Sequence, residues 1–213
     1  MAKEIVIHPV TRIEGHAKVV IQLDEKGDAA DARVHVLELR GFEKFCIGRP
    51  VEELPMITTR ICGVCPWAHH LASVKAADAV FGVDIPDAAK KLRELAYMGD
   101  KVRDFILHFY ILSGPDFVMG PDADYTVRNV IGIAKVYPDL AKKVIKAHHL
   151  AHRMVELVAG KRIHPVAAVP GGFTKPLTKE DRDQALEMTK ELLGFATFSI
   201  GYAKENIFPK YLD

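Results

Sequence analysis

Two cysteines and a histidine lie close together in the chain and carry its clearest chemical potential. Cys62 and Cys65 are three positions apart, and His69 follows four residues after the second cysteine. Two thiols at this spacing can point the same way where a loop enters a helix, and Gly63 allows the tight backbone. If Cys65 is the N-cap and Pro66 the first helical residue, the helix dipole and free N–H groups favour thiolates, the form that binds metals. His69 would then lie one turn further on the same face, close enough to hydrogen-bond a sulfur.

The spacing of the cysteines leaves several kinds of structure open. The pair could be two half-buried thiols, half of a zinc site, a thioredoxin-like redox pair or ligands of a softer metal. A zinc site needs two more ligands, which Cys46 and His69 could supply. A thioredoxin-like pair needs a preceding strand, and residues 58–60 are poor candidates for one. The pattern therefore favours soft-metal or redox chemistry over a purely structural role.

The composition is that of an ordinary soluble globular protein. The 213 residues are 49% hydrophobic and 27% charged, with a net charge of +1, so neither a nucleic acid nor an acidic membrane surface is indicated as a partner. No apolar run approaches the roughly 20 residues of a membrane span, and the N-terminus lacks the apolar segment of a secretory signal. We therefore expect a cytoplasmic protein with one sizeable core or two small domains.

Hydrophobic periodicity predicts β-structure in the first forty residues and helices after them. Residues 16–24 and 32–36 alternate between apolar and polar side chains, and the turn signal at 25–28 joins them in a hairpin. Four helices are expected further on, beginning at Pro66, Asp87, Pro138 and near Thr178.

Local signals predict where these helices begin and end. Gly82 and Gly160 are the expected C-caps of the first and third helices, and the Gly-Pro step at 114–115 is expected to stop the second. Thr178 and Asp181 form a variant capping box at the start of the fourth. The Pro- and Gly-rich stretch 163–176 is flanked by apolar residues, which favours a packed loop over a linker.

The expected fold class is therefore α+β, with a small N-terminal antiparallel sheet followed by a bundle of long helices. Within a single domain spanning 1–213, residues 1–45 form a β-rich entry and residues 56–213 are mainly helical.

The wider sequence resembles the large subunits of nickel–iron hydrogenases. The string R-I-C-G-V-C at residues 60–65, with a histidine four positions after it, is similar to the N-terminal cysteine motif of that family. Further segments resemble family motifs and follow in the family's order: P-V-T-R-I-E-G-H at 9–16, R-G-F-E at 40–43, H-F-Y and P-D-F at 108–110 and 115–117, and G-K-R-I-H-P with P-G-G at 160–165 and 170–172. The chain is accordingly identified as the N-terminal part of such a subunit, so its fold is expected to be incomplete without the C-terminal half.

The resemblance implies a metal centre and a reaction. In the family, four cysteine thiolates bind nickel, and two of them also bridge to an iron that carries carbon monoxide and cyanide. Cys62 resembles the terminal nickel ligand and Cys65 the bridging one. The implied activity is the reversible heterolytic splitting of dihydrogen, for which soft thiolates are suitable ligands.

The resemblance also implies roles for residues outside the cysteine pair. Glu14 resembles the glutamate that passes a proton on from a terminal cysteine. Glu43 resembles a ligand of a peripheral divalent ion, usually magnesium. Asp116 resembles an aspartate in the outer shell above the metals, and His69 is expected to hydrogen-bond a sulfur there. The residues alone also allow other roles. Glu14 could be an ion-pair partner of Arg12 or another arginine, and Glu43 could be a surface charge. Asp116 could be the turn residue after Pro115.

The family also implies partners. No cysteine follows Cys65, so the second cysteine pair must come from the C-terminal half of the large subunit, and this chain by itself is expected to be inactive. Electrons must leave through an iron–sulfur small subunit, because three cysteines leave no room for a cluster here. The segments 108–117 and 170–177 resemble the soluble cytoplasmic branch found in methanogens, which includes enzymes that feed heterodisulfide reductase. A non-catalytic electron-transfer scaffold of the same fold and a zinc-bound structural module remain the alternatives.

Overall fold

The computed structural model describes residues 3–212. The chain divides into two compact units, Met1–Lys44 and Phe45–Asp213. Among the described helices, none combines the length and the apolar character needed to cross a membrane.

The first unit contains a three-stranded antiparallel sheet. Its strands are β1 (Glu4–Ile7), β2 (Ala17–Leu23) and β3 (Ala29–Val36), in the spatial order β1-β2-β3. Ile7 pairs with Val19, and Val19 pairs with Val34, so one face of the sheet is apolar as the alternation predicts. The hairpin turn is stabilised by Asp24, whose carboxylate accepts hydrogen bonds from the backbone N–H groups of Lys26 and Asp28. The predicted hairpin is confirmed.

The elements that follow the sheet are almost all helical. In chain order they are α1 (Phe42–Cys46), a 3₁₀ helix (Val51–Glu53), α2 (Leu54–Thr58), a second 3₁₀ helix (Thr59–Ile61), α3 (Pro66–Phe81), α4 (Asp87–Ile106), a π-helix (Leu107–Ser113), α5 (Gly114–Met119), α6 (Val130–Val136), α7 (Pro138–Ala159), the two-residue strands β4 (Ala168–Val169) and β5 (Gly172–Phe173), α8 (Lys179–Asn206) and α9 (Phe208–Tyr211). The α+β class and the helical bundle are confirmed.

The predicted caps are also confirmed. Gly82 and Gly160 end α3 and α7 in the left-handed conformation, with φ of 61° and 81°. A residue with a Cβ would be strained at either position, which explains why glycine ends both helices. At the start of α8 the Thr178 hydroxyl accepts the backbone N–H of Asp181 at 3.0 Å.

The prediction that Gly114-Pro115 stops the second long helix is wrong. Helical backbone continues from α4 through the π-helix into α5. Pro115 lies in the first turn of α5, where a missing N–H is tolerated, and the preceding π-helical turns take up the change in hydrogen bonding. The Gly-Pro step therefore changes the type of helix there and does not end it.

Two apolar clusters hold the second unit together, and both draw on α4 and α7. One contains side chains from α4, the π-helix, α7 and α8, among them Ile106, Tyr110, Met154 and Leu192. The other lies where α3 meets α4 and the end of α7, and it is centred on Trp67. α4 and α7 are in close contact at Gly99, where an added Cβ would lie 3.4 Å from a side-chain methyl of Val155. The second cluster forms the base on which the cysteine motif rests.

Candidate metal centre

Three potential metal ligands converge where α3 begins. The sulfur atoms of Cys62 and Cys65 and a ring nitrogen of His69 all lie within 4.8 Å of one another. This is the one such group of three or more His, Cys, Asp or Glu side chains found among residues 3–212. Two thiols and an imidazole form a soft donor set suited to nickel, iron or zinc and poorly suited to magnesium or calcium.

The local backbone explains the convergence. Cys62 follows the second 3₁₀ helix in an extended conformation. Cys65 is the N-cap of α3 and Pro66 is its first helical residue, as predicted. The backbone N–H of Cys65 donates to the sulfur of Cys62 at 3.1 Å. The carbonyl of Cys65 accepts the N–H groups of Ala68 and His69, which begins the helix. A donor aimed at the Cys62 sulfur and the positive end of α3 both favour negative charge at this place.

Buried hydrogen bonds anchor the segments on both sides of the cysteines. The Thr59 hydroxyl donates to the carbonyl of Pro66 at 3.1 Å, and the Thr59 carbonyl accepts Nδ1–H of His164 at 2.7 Å. His70 donates from Nδ1 to the carbonyl of Pro55 at 3.0 Å, and burial lowers the pKa of this fully buried imidazole. Trp67 packs beneath it, with ring centroids 5.2 Å apart. The cysteine motif therefore rests on buried, hydrogen-bonded side chains.

A buried ion pair on α4 contacts the loop between the cysteines. Arg103 donates from Nη2 to the carbonyl of Val64, and the same nitrogen lies 2.7 Å from a carboxylate oxygen of Asp100. Both side chains are less than 5% exposed. Burial raises the pKa of Asp100 to about 6, although the charge of Arg103 acts in the opposite direction.

A second buried pair fixes the hairpin that contains the P-G-G motif. Arg93 pairs with Asp78 at 2.5 Å and donates to the carbonyls of Val169 and Gly172. Asp78 also accepts the N–H of Gly171 at 2.8 Å. Burial alone would raise the pKa of the Asp78 carboxyl, but the hydrogen bonds from Arg93 and Gly171 hold it below its ordinary value. The predicted packed loop is thus confirmed as a short hairpin, β4–β5, tied to α3 and α4.

Three histidines on α7 form no part of the cluster. His148, His149 and His152 line a cavity of about 400 Å³ together with Arg162. The rings of His148 and His152 meet edge to face at 4.7 Å. Burial, with help from His148 and Arg103, lowers the pKa of His152 to about 4, so its ring is neutral at pH 7.

The other residues singled out in the sequence lie elsewhere in the chain. Glu14 is an exposed residue of the loop between β1 and β2, and Glu43 is exposed in the first turn of α1, both in the unit Met1–Lys44. Asp116 lies in the first turn of α5, where its carboxylate is 3.6 Å from Nε of Arg128. Cys46 ends α1, is half-buried and is not a member of the cluster. The zinc set that includes Cys46 is therefore not assembled here.

Sequence reasoning overlooked two buried ion pairs. Arg103 and Asp100 carried no signal, because an Asp and an Arg three positions apart on a helix are usually an exposed pair. Arg93 and Asp78, which hold the β4–β5 hairpin, lie 15 positions apart and form no local pattern. Only burial distinguishes these two pairs.

Comparison with known proteins gives this motif its context. Residues 40–127 match the family described as nickel-dependent hydrogenase, and residues 4–39 match a family described as HoxL-like. The chain is 50% identical over 202 residues to a subunit of the F420-non-reducing hydrogenase vhu of Methanocaldococcus jannaschii, covering 95% of this chain and 48% of the relative. It is 38% identical to the NAD-reducing hydrogenase HoxS subunit beta of Cupriavidus necator, covering 97% and 43%.

Solved structures agree with the sequence matches. A crystal structure of an NAD+-reducing [NiFe]-hydrogenase in the H2-reduced state superposes with a TM-score of 0.92 at 38% identity, over 99% of this chain and 47% of that one. The Ni-Fe-Se hydrogenase of D. vulgaris Hildenborough in the reduced state gives 0.77 at 32% identity, over 97% and 43%. The chain spans about half the length of the relatives it matches.

Sequence profile, relatives and fold all lead to one conclusion, and the match corresponds to the N-terminal part of the longer proteins. The chain belongs to the nickel-dependent hydrogenase family and corresponds to the N-terminal part of its large subunit.

Proposed function

We propose that this chain is part of the catalytic subunit of a nickel–iron hydrogenase, which oxidises dihydrogen reversibly. One observation carries the proposal: the two thiols and the imidazole of R-I-C-G-V-C-x-x-x-H lie within 4.8 Å of one another at a helix N-terminus. The match to nickel-dependent hydrogenases over residues 40–127 supports the same function.

The donor set fits half of such a centre. Cys62 and Cys65 offer two soft thiolates; Cys62 would hold nickel, and Cys65 would hold nickel and iron. The remaining two thiolates are proposed to come from the C-terminal half of the large subunit, because Cys46 is not in the cluster. The bound metals, with carbon monoxide and cyanide on the iron, would supply the redox and Lewis-acid chemistry that cleaves dihydrogen.

The chain's own residues then have separate tasks. Cys62 and Cys65 hold the metals, and the N–H of Cys65 directed at the Cys62 sulfur stabilises its negative charge. His69, one turn along α3, is proposed to hydrogen-bond a sulfur, and Asp116 to act in the outer shell. Glu14 is proposed to accept at its carboxylate the proton held by a terminal cysteine thiol, which returns to the thiolate, and to pass that proton on. Glu43 is proposed to bind a peripheral magnesium ion.

The proposed partners are the subunits that would carry electrons away from the metals. We propose that an iron–sulfur small subunit is the immediate acceptor, with cytoplasmic electron-transfer subunits, including heterodisulfide reductase, beyond it. The methanogen relatives in two species, both named for the F420-non-reducing hydrogenase vhu, support this branch.

Infrared spectroscopy of the protein isolated with its co-purifying subunits tests the function. We expect stretching bands of carbon monoxide and cyanide in a region free of protein absorption, with stoichiometric nickel and with iron in excess of nickel, because the iron–sulfur subunit contributes iron of its own. Stoichiometric zinc without those bands would contradict the proposal and favour a structural zinc module. Intact thiols with neither metal nor bands would favour a non-catalytic scaffold.

Replacing Glu14 by glutamine should abolish proton–deuterium exchange from dihydrogen while the infrared bands stay in place. Glutamine keeps the size and polarity of the side chain but cannot carry a proton, so we expect a loss of at least about 100-fold. Glu25→Gln, in the hairpin turn of the same sheet, is the matched control and should exchange normally. Unimpaired exchange in Glu14→Gln would remove Glu14 from the proton path.

A further inference from the structure

The peptide unit between Val64 and Cys65 is held from both of its ends. Its carbonyl oxygen accepts a hydrogen bond from the guanidinium of Arg103, and its N–H donates to the sulfur of Cys62 at 3.1 Å. The bond is trans, so its C=O and N–H point in opposite directions from one rigid plane. A group that fixes the carbonyl therefore also fixes the direction of the N–H.

Arg103 is an unusual residue to find at this place. Its side chain is 4% exposed, and its carboxylate partner Asp100 is 3% exposed. Burying a guanidinium is costly, and an apolar residue of similar volume would pack as well or better. The contact that an apolar residue could not make is the hydrogen bond to the Val64 carbonyl, which reaches across 39 positions of the chain.

We propose that Arg103 is a positioning residue for the cysteine pair. It holds the Val64–Cys65 peptide plane so that the N–H of Cys65 points at the Cys62 sulfur, which sets the two thiols in the arrangement that receives a metal. The cationic donor on the carbonyl also polarises the peptide unit and strengthens its N–H as a donor. Asp100 holds the guanidinium in place from one turn earlier on α4.

A second arginine of the same helix provides a matched control. Arg93 is equally buried on α4, pairs with Asp78 and donates to backbone carbonyls, but those carbonyls belong to Val169 and Gly172 in the β4–β5 hairpin. Arg93→Met therefore removes a buried pair of the same kind without touching the loop between the cysteines. A general loss of stability would appear in both variants, whereas the proposed effect is confined to Arg103.

The test compares Arg103→Met with Arg93→Met in the full chain before metal loading. Hydrogen exchange at the Cys65 amide, followed by NMR, should accelerate at least about tenfold in Arg103→Met relative to Arg93→Met. Cobalt(II) added alone is the metal probe, read from its sulfur-to-metal absorption. Its affinity should fall about tenfold in the Arg103 variant only. Equal exchange and equal cobalt affinity in the two variants would overturn the proposal.

If Arg103→Met does not fold, Arg103→Lys decides the question. The nitrogen of a lysine ends one bond short of the position of Nη2, the atom that contacts both Asp100 and the Val64 carbonyl, so the Cys65 amide should still lose its protection. Protection equal to that of the unaltered chain would contradict the proposal. Neither measurement needs the nickel–iron centre. Failure of the hydrogenase assignment in the infrared test therefore leaves this inference standing, and its own failure leaves the assignment standing.

Discussion

In the protein isolated with its co-purifying subunits, replacing Cys65 by serine is expected to remove the nickel–iron centre and to abolish the proposed hydrogenase activity. A serine hydroxyl stays protonated near neutral pH and is a hard donor, so it replaces neither the charge nor the softness of the thiolate. In the proposed centre Cys65 would hold both metals, so the loss of its thiolate would affect nickel and iron alike.

The expected loss of metal affinity is larger than the loss caused by replacing a residue that only surrounds the metal site. Removing a residue that only supports a metal ligand commonly lowers metal affinity by about 10- to 100-fold. Removing a ligand should therefore lower it by more than about 100-fold. Elemental analysis of nickel would record the loss, and the infrared bands would report the iron of the centre separately from iron–sulfur iron.

Cys46→Ser is the matched control for this experiment. Cys46 is a half-buried free thiol at the end of α1 and is not a member of the cluster. Its replacement should leave the metal content unchanged. Loss of metal on replacing Cys46, with retention on replacing Cys65, would contradict the proposed centre and favour a zinc site built on a different set of ligands.

Replacing Arg93 by methionine is expected to lower the free energy of unfolding by about 3–5 kcal/mol. The side chains of Arg93 and Asp78 are 5% and 13% exposed, so the change leaves a buried carboxylate without its counter-charge. It also removes the hydrogen bonds that Arg93 donates to the carbonyls of Val169 and Gly172. For a chain of this length the melting temperature should fall by roughly 10 °C or more, which calorimetry would measure.

Arg153→Met is the control for this second experiment. Arg153 pairs with Glu156 at 3.0 Å on the surface of α7, where its side chain is 42% exposed. Because an exposed pair contributes little, its loss should cost at most about 1 kcal/mol. If Arg93→Met were no more destabilising than Arg153→Met, the hairpin would not depend on the buried pair.

The double change Arg93→Met with Asp78→Leu gives a further check. It removes the unpaired carboxylate together with the guanidinium and should recover part of the stability lost in Arg93→Met. The part not recovered reports the hydrogen bonds from Arg93 to the hairpin and the one from Gly171 to Asp78.

Most of the secondary structure could be predicted from the sequence, because its signals are local. Alternation of apolar and polar residues over seven positions predicts β2, and a glycine in the left-handed conformation ends α3 and α7. The Gly-Pro step at 114–115 was misleading, since proline is a barrier only in the interior of an α-helix. Whether the chain turns away there or continues depends on the partners of the following residues, which the local pattern does not contain.

The sequence by itself determined the Cys62–Cys65–His69 cluster and its family. The three side chains lie within eight residues, so the backbone geometry of a helix start brings them together, and the ordered motifs indicate nickel chemistry. Only the tertiary structure decided what holds that cluster. Arg103 reaches Val64 across 39 positions, and His164 reaches Thr59 across 105. Such contacts depend on how α3, α4 and α7 pack, and no spacing along the chain encodes that packing.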